Sequence, residues 1–303
     1  MKNKFIIKKA HFGEILQGIY PSYSKSNRCI VTFPIDINLK KNILNNDFIK
    51  SKKIFSYITF KKSNTLEIKP KKFFKSFKLI RQFEEKFKVK IKGTFNIKSN
   101  IPLERGMGSS SVDLITLCKA LKKIKNLNIS KNQIYNFCCD IEATDPLLNK
   151  KISVFSTIIG KNISKSNIYY PPLKIFSYDT SWGKKGIKTE NVATPNYTKK
   201  DLIFFERAFN YIEKMKDFNI IKIKKISLKS LIINQRFYPK KNFHKIINII
   251  KKIKDGFLIG AHSGTVIGVA FKYNYNLKKK DILYLKKLSR ILKSPITKYE
   301  NIE

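Results

Sequence analysis

Over Thr94–Lys98 apolar and polar residues alternate, with Phe95 and Ile97 on one side and Thr94, Asn96 and Lys98 on the other, which predicts a strand. Past Ser111 the period lengthens. Val112, Ile115, Cys118, Ala120 and Leu121 recur at helical spacing, so a helix opens at Ser109 or Ser110 with a serine as its cap. Upstream, Phe5–Ile7, Ile15–Tyr20, Cys29–Leu39 and Ile54–Phe60 read as strands, and Phe73, Phe77, Ile80, Phe83 and Phe87 mark an amphipathic helix. A second helix runs from Ser130, its N-cap, toward Ile141, and Asp145-Pro146 marks its end because a residue before proline leaves the α region. Strands follow at Ile152–Ile159 and Ile175–Tyr178. Loops are expected at Asn162–Asn167, Pro171-Pro172 and Ser181-Trp182-Gly183. Helical patterns then cover about 199–216, 226–236 and 241–254, a strand–loop–strand covers 256–272, a helix covers 279–292, and a short tail closes the chain. Strands and helices interleaved in this order predict an α+β or α/β fold. A domain seam is expected near 165–173, giving units at 1–168 and 169–303.

The join between the first strand and helix, Ile101–Ser111, carries the chemistry. Gly106 and Gly108 let the backbone approach an anion, and the serines offer hydroxyls beside the first helical N–H groups. No Gly-Lys-Ser/Thr follows, so this is not a Walker A loop. Ser111 stands where a dinucleotide fingerprint needs its third glycine.

Composition changes the picture in one respect. The net charge of +42 suggests a polyanion partner, yet only six of the 63 basic residues are arginine (28, 81, 105, 207, 236 and 290) and the lysines are spread along the whole length. A dedicated nucleic-acid reader would use arginine forks, so no specific nucleic-acid partner is expected and the lysines read as solvated faces. Cys29, Cys118, Cys138 and Cys139 have neither disulfide-framework nor zinc spacing, which predicts reduced thiols and a cytoplasmic setting. The apolar run after Met1 is too short for a signal peptide, and Gly256–Phe271 is too short for a membrane span.

Pro102-x-x-x-Gly106-x-Gly108-Ser109-Ser110 resembles the nucleotide-phosphate loop of the GHMP kinases. Three further segments resemble the L-threonine kinase branch in the same order: Gly13-Glu14-Ile15-Leu16-Gln17-Gly18, Glu142-Ala143-Thr144-Asp145, and Ala261-His262-Ser263-Gly264-Thr265-Val266-Ile267-Gly268. Together they span nearly the whole chain. The resemblance implies two α+β domains, a ribosomal-protein-like one followed by a ferredoxin-like one, with the site in the cleft between them. It also implies ATP and Mg²⁺ as cofactors and a small alcohol or amino acid, L-threonine first, as the acceptor. Homoserine, a sugar or a specialised-metabolite alcohol is the alternative acceptor. A basic nucleic-acid-binding protein or a non-catalytic relic is the alternative of another class.

Roles follow residue by residue. Pro102, Gly106, Met107, Gly108, Ser109, Ser110 and Ser111 are expected to hold the nucleotide, with Ser110 (or Ser109) also meeting Mg²⁺. Glu142 is the second metal ligand, with Asp140 as the alternative, and Asp145 is the base or hydroxyl-orienting group. The acceptor pocket draws on His11, Glu14, Gln17, His262, Ser263, Gly264 and Thr265. Glu14 suits a substrate ammonium and Gln17 a carboxylate or hydroxyl. His11-Phe12 departs from the Ser-Cys of the resembled threonine kinases. Asn234-Gln235-Arg236 and Tyr238-Pro239-Lys240 are expected to be packing or lid elements.

Overall fold

Three side chains placed at intervals of three along one strand should not share a face, because strand side chains alternate. His11, Glu14 and Gln17 nevertheless do. They lie on β2 (Lys9–Ile19), which pairs antiparallel with β3 (Arg28–Asp36) through His11↔Pro34, Glu14↔Thr32 and Gln17↔Ile30. Register shifts between His11 and Glu14, and between Glu14 and Leu16, each insert one residue. Every step from His11 to Glu14 to Gln17 thus spans two residues of the partner strand, and all three side chains turn to one side. Gly13 makes the first bulge possible: its φ is +54°, and a Cβ there would stand 2.3 Å from the carbonyl carbon of Gly260.

The structure, a computed structural model, describes residues 3–7, 9–23, 28–36, 49–51, 55–70, 74–187 and 195–301. The expected strand end at Ile37–Leu39, Ile54, Phe73 and the turn residues 24–27 lie outside the described residues. Two sheets form. The smaller orders β1 (Asn3–Ile7), β5 (Ser56–Lys61), β7 (Gly93–Ser99) and β6 (Leu66–Lys69). The larger runs β4 (Ile49–Ser51), β13 (Ile296–Asn301), β10 (Leu173–Asp179), β12 (Val266–Lys272), β11 (Phe257–Gly260), β2, β3, β8 (Lys151–Ser156) and β9 (Lys161–Tyr169). Helices α1 (Phe74–Phe87), α2 (Ser109–Ile124) and α3 (Lys131–Cys139) pack together, with α2 on β5 and β1. Helices α4 (Lys199–Lys214) and α5 (Ile220–Asn234) cover β2, while α6 (Phe243–Ile250) and α7 (Lys279–Leu292) lie against each other, with α7 on β10 and β13. The α+β class stands.

One core joins β2, β3, α2, α3, β8 and α4 around Phe12, Phe33, Phe83, Phe155 and Phe205, and a second gathers Phe176, Tyr178, Phe271, Leu285 and Leu288 beneath α6 and α7. Ser130 caps α3 as expected, its hydroxyl accepting from the Gln133 N–H while the Gln133 side chain accepts from the Ser130 N–H. Cys138 and Cys139 close that helix, the first buried.

Two expected loops are strands. Asn162–Asn167 lies within β9, an edge strand whose Lys161, Lys165 and Asn167 are exposed, so polar composition concealed it. The expected tail is β13, which pairs with β10 across more than a hundred residues. The second pattern past 199 starts earlier than expected, at Ile220, because the Asn219 side chain caps it. Among the described residues no helix is long and apolar enough to cross a membrane.

Candidate active site

A cavity of about 920 Å³ opens between the bulged face of β2–β3, the loop before α2 and the segment after α3. Its floor is the start of α2. Gly108, not a serine, is the N-cap: it sits in the left-handed region (φ 69°, ψ 26°) and no side chain caps the helix. The first intrahelical bond runs from the Val112 N–H to the Gly108 carbonyl at 2.9 Å. The preceding amides are therefore left without intrahelical partners, with the positive end of the helix dipole behind them. Ser109 and Ser110, freed from capping, line the cavity with Gly106, Met107 and Gly108. Met107 is 1% exposed, so its side chain roots the loop in the core. Pro102 is not in the cavity wall; it precedes the loop and shapes the exit from β7. The loop is held from behind by Arg105, whose carbonyl accepts from the N–H groups of Thr265 and Val266 (3.1 and 3.2 Å) and whose guanidinium pairs with Asp179 at 3.2 Å.

Asp145 reaches the same cavity from the turn after α3. Its Oδ2 lies 2.9 Å from His11 Nε2 and accepts from the Ser111 hydroxyl at 3.1 Å, while its N–H donates back to Ser111 Oγ at 3.3 Å. The Ser111 hydroxyl is thus committed to Asp145 and not to a phosphate. His11 Nδ1 donates to the Gly13 carbonyl at 3.2 Å, so both ring nitrogens meet acceptors and the ring is an imidazolium. Burial alone would lower the His11 pKa. The charge and hydrogen bond of Asp145, the charge of Glu14 and the Gly13 carbonyl outweigh it and push the value up to about 9. Asp145 responds in the opposite sense. Burial raises its pKa, but His11, the Ser111 hydroxyl and the charge of Arg28 hold it below the usual carboxylate range. The carboxylate stays ionised and 18% exposed.

This pair fixes a pH dependence. The folded pKa of His11 exceeds its unfolded value, so the pair's contribution is complete below about 6.5 and is lost as pH rises through about 9. The folded pKa of Asp145 is depressed, so its share is present above about 3.9 and lost as pH falls further. Urea midpoints are expected to decline from pH 6.5 to 9 in the wild type and to flatten in His11→Gln. An unchanged slope in that variant would place the titration elsewhere.

Across the floor, Glu142 forms an ion pair with Lys75, and its Oε1 is buried without a hydrogen-bond partner. Asp113, on α2, accepts from Ser56 Oγ at 2.6 Å. Burial raises its pKa, the Ser56 bond opposes this, Glu142 adds to it, and the value stands at about 6. Asp113, Glu142 and the Ser110 hydroxyl line the same cavity and make a donor set that a hard cation suits. No group of three or more ligating side chains exists among the described residues, so a cation here would take its remaining ligands from phosphate and water.

Glu14 lines the cavity, but its Oε2 already accepts from the His262 N–H (2.8 Å) and from His262 Nδ1 (3.0 Å). His262 Nε2 in turn meets Ser230 Oγ at 2.7 Å, and Ser230 Oγ accepts from the Gln17 N–H at 3.1 Å. Burial, against the pull of Glu14, keeps the His262 pKa below the ordinary value, so the neutral ring links the two partners. His262 is therefore a buried strut, not a wall of the pocket. Gly264 and Thr265 also stand behind the wall, the former packed on Arg105 and Gly106, and only Ser263 of that motif reaches the cavity. The family-like residues beyond α5 are packing elements. Asn234 Nδ2 donates to the Gln17 carbonyl at 2.9 Å, and buried Lys240 donates to the carbonyls of His262 and Gly264, both at 3.0 Å. Burial, opposed by Glu14, lowers Lys240 to about 8.

Sequence reasoning missed Arg28, Lys75 and Asp113, all of which line the cavity. An acid inside the apolar run Val112–Leu117 was a readable signal for Asp113. Nothing distinguished Lys75 from the other lysines.

Residues 72–148 match the family model of the GHMP kinases N terminal domain. That stretch takes in the loop, Asp113, Glu142 and Asp145. No curated protein matches the chain in sequence. Among solved structures, it is similar to homoserine kinase from Cytophaga hutchinsonii (TM-score 0.64, 10% identity, 100% of this chain and 95% of that one). It is also similar to phosphomevalonate kinase of Streptococcus pneumoniae in complex with phosphomevalonate and AMPPNP (0.63, 11%, 99% and 100%). Mevalonate kinase of Methanococcus jannaschii is a third (0.61, 17%, 100% and 98%). At such identities the likeness is one of fold. Residues 72–148 are thus similar to the N-terminal domain of the GHMP kinases, and the chain as a whole shares the fold of these kinases.

Proposed function

We propose that this protein is an ATP- and Mg²⁺-dependent kinase that phosphorylates the hydroxyl of a small alcohol, with L-threonine as the acceptor and O-phospho-L-threonine as the product. The observation that carries the reading is the His11–Asp145–Ser111 group set across the uncapped start of α2. Phosphoryl transfer needs an anion cradle and, in line with it, a group that orients the attacking hydroxyl. That the loop before α2 and Asp145 line one cavity supports the reading. The ordered motifs resembling threonine kinases support the choice of acceptor.

The amides at the start of α2 would hold the triphosphate, and Asp145, which lines the same cavity, would hold the acceptor hydroxyl. The acceptor oxygen attacks phosphorus, the bond to the β–γ bridging oxygen breaks, ADP leaves, and the hydroxyl proton passes to the Asp145 carboxylate. A carboxylate with a depressed pKa is a weak base, which suits a loose transition state in which the hydroxyl acidifies only as its bond to phosphorus forms. His11 holds that carboxylate ionised and in place. Ser110 and Glu142, with Asp113 beside them, would hold Mg²⁺, and bound magnesium would offset the phosphate charge. Lys75 neutralises Glu142 in the structure as described. On this reading the chain divides at about residue 168 into the two units of the fold.

Glu142→Gln is expected to raise the Mg²⁺ concentration at half-maximal rate by roughly tenfold, as loss of one charged ligand weakens a hard-cation site. An unchanged Mg²⁺ titration would remove Glu142 from the metal site. The reading itself is tested by ADP release from ATP and Mg²⁺ against L-threonine, L-serine, L-homoserine and a sugar panel. Threonine-dependent release, with phosphothreonine identified by mass, is the expected result, whereas release with a sugar alone would move the acceptor assignment.

A further inference from the structure

Arg28 has entered so far only through its charge on Asp145, yet among the described residues it is the only arginine in the cavity wall. Its Nε donates to Thr157 Oγ1 at 3.3 Å, which fixes the side chain, and its guanidinium forms no ion pair among the described residues. It is close enough to Asp145 for its charge to be felt there. Beside it lies a second unsatisfied group. Gln17 is 2% exposed, lines the same cavity, and its Nε2 has no hydrogen-bond partner. A buried amide left unpaired costs about 1–3 kcal/mol, so a ligand acceptor is the expected partner.

The strand register brings the two together. Gln17 pairs with Ile30, and Arg28 stands two residues before Ile30 on β3, so the side chains of Gln17 and Arg28 are diagonal neighbours on one face. Asp145 is reached from both the α2 side and the β3 side. Ser111 and Gly108 approach Asp145 from the α2 side. Arg28 comes from the β3 side, where Thr157 donates to its carbonyl at 3.2 Å and accepts from the Thr144 N–H at 3.0 Å, one residue before Asp145. An acceptor whose hydroxyl lies between phosphate and Asp145 must extend its remaining atoms away from the phosphate, onto this face.

We infer that Arg28 and Gln17 form the subsite for a carboxylate on the acceptor, and that they select hydroxy acids over neutral alcohols. A guanidinium fork matches a carboxylate with two hydrogen bonds, and the Gln17 amide supplies a third donor. This rests on the kinase reading above and narrows it to one acceptor class.

The test compares L-threonine with L-threonine amide, which differ in the charge of one group. Wild type is expected to favour threonine by roughly 100-fold in kcat/KM, the discrimination that a buried charged pair supplies. Arg28→Met should erase that preference, through a rise of roughly 100-fold in KM for threonine and not through kcat or the KM for ATP. Arg28→Lys should recover part of it, and Gln17→Leu should show a smaller loss of the same kind; both serve if Arg28→Met does not fold. Equal use of the two acceptors by wild type would overturn the subsite while leaving the kinase reading intact. So would an Arg28→Met loss that falls on both acceptors alike or on ATP. No ADP release with any alcohol would remove the kinase reading and the subsite together.

Discussion

Asp145→Asn is expected to lower turnover by about 10³-fold or more while ATP still binds, because in the proposed reaction it removes the group that orients and deprotonates the acceptor and leaves the loop before α2 whole. Asparagine keeps the size of the side chain and its contact with Ser111, so a loss of fold does not confuse the result. The same substitution has a second signature. The imidazolium of His11 exists because the Asp145 charge outweighs the burial that would otherwise lower its pKa. In Asp145→Asn that support is gone and burial prevails, so the His11 ring should titrate well below 9 when followed by NMR. Wild-type turnover in the variant would remove Asp145 from the reaction. A His11 pKa still near 9 would show that some other group holds the proton.

Gly108→Ala is expected to fail in two ways at once. The residue holds φ 69°, a conformation that costs a side-chain-bearing residue roughly 1–2 kcal/mol. A Cβ there would also stand 2.4 Å from His11 Cδ2 and 2.9 Å from Asp145 Oδ2. Neither partner can yield, since His11 is tied to Gly13 and Asp145 to Ser111. Turnover should fall by about 100-fold, as expected when catalytic groups are displaced by around an ångström, with a lowered Tm. Gly183→Ala provides the control. Its φ is 74° and a Cβ there meets nothing within 4 Å, so it carries the backbone cost alone and should lower Tm slightly without touching turnover. Similar losses of turnover in both variants would mean that Gly108 matters only as a helix cap.

The part of this site that lies on one continuous stretch was legible in the sequence. The strand, the glycines and the helix of 93–124 announce an anion cradle through period and turn residues, and Asp145 was marked by its proline and by its place in an ordered motif. Which face a side chain occupies was not legible. The spacing of His11, Glu14 and Gln17 reads as alternating faces until two bulges, set by the fit of Gly13 against Gly260, turn them together. His262 shows the opposite failure. A histidine in a Gly/Ser loop looks like a site residue, yet tertiary packing supplies both of its nitrogens with partners and places it behind the wall. Arg28 had no motif at all; only the pairing of β3 with β2 gives it meaning. The edge strand β9 and the terminal strand β13 were hidden for a related reason, since each owes its conformation to a partner and not to its own composition.

Phosphoryl transfer is tested most directly by following the γ-phosphoryl group itself. ATP labelled at the γ-phosphate is incubated with the purified protein, Mg²⁺ and the alcohol panel, and the labelled products are separated. The label is expected in a phosphate monoester of one alcohol, L-threonine first, in amounts equal to the ADP formed. Label found only in inorganic phosphate or in unreacted ATP, from protein that binds the nucleotide, would contradict it.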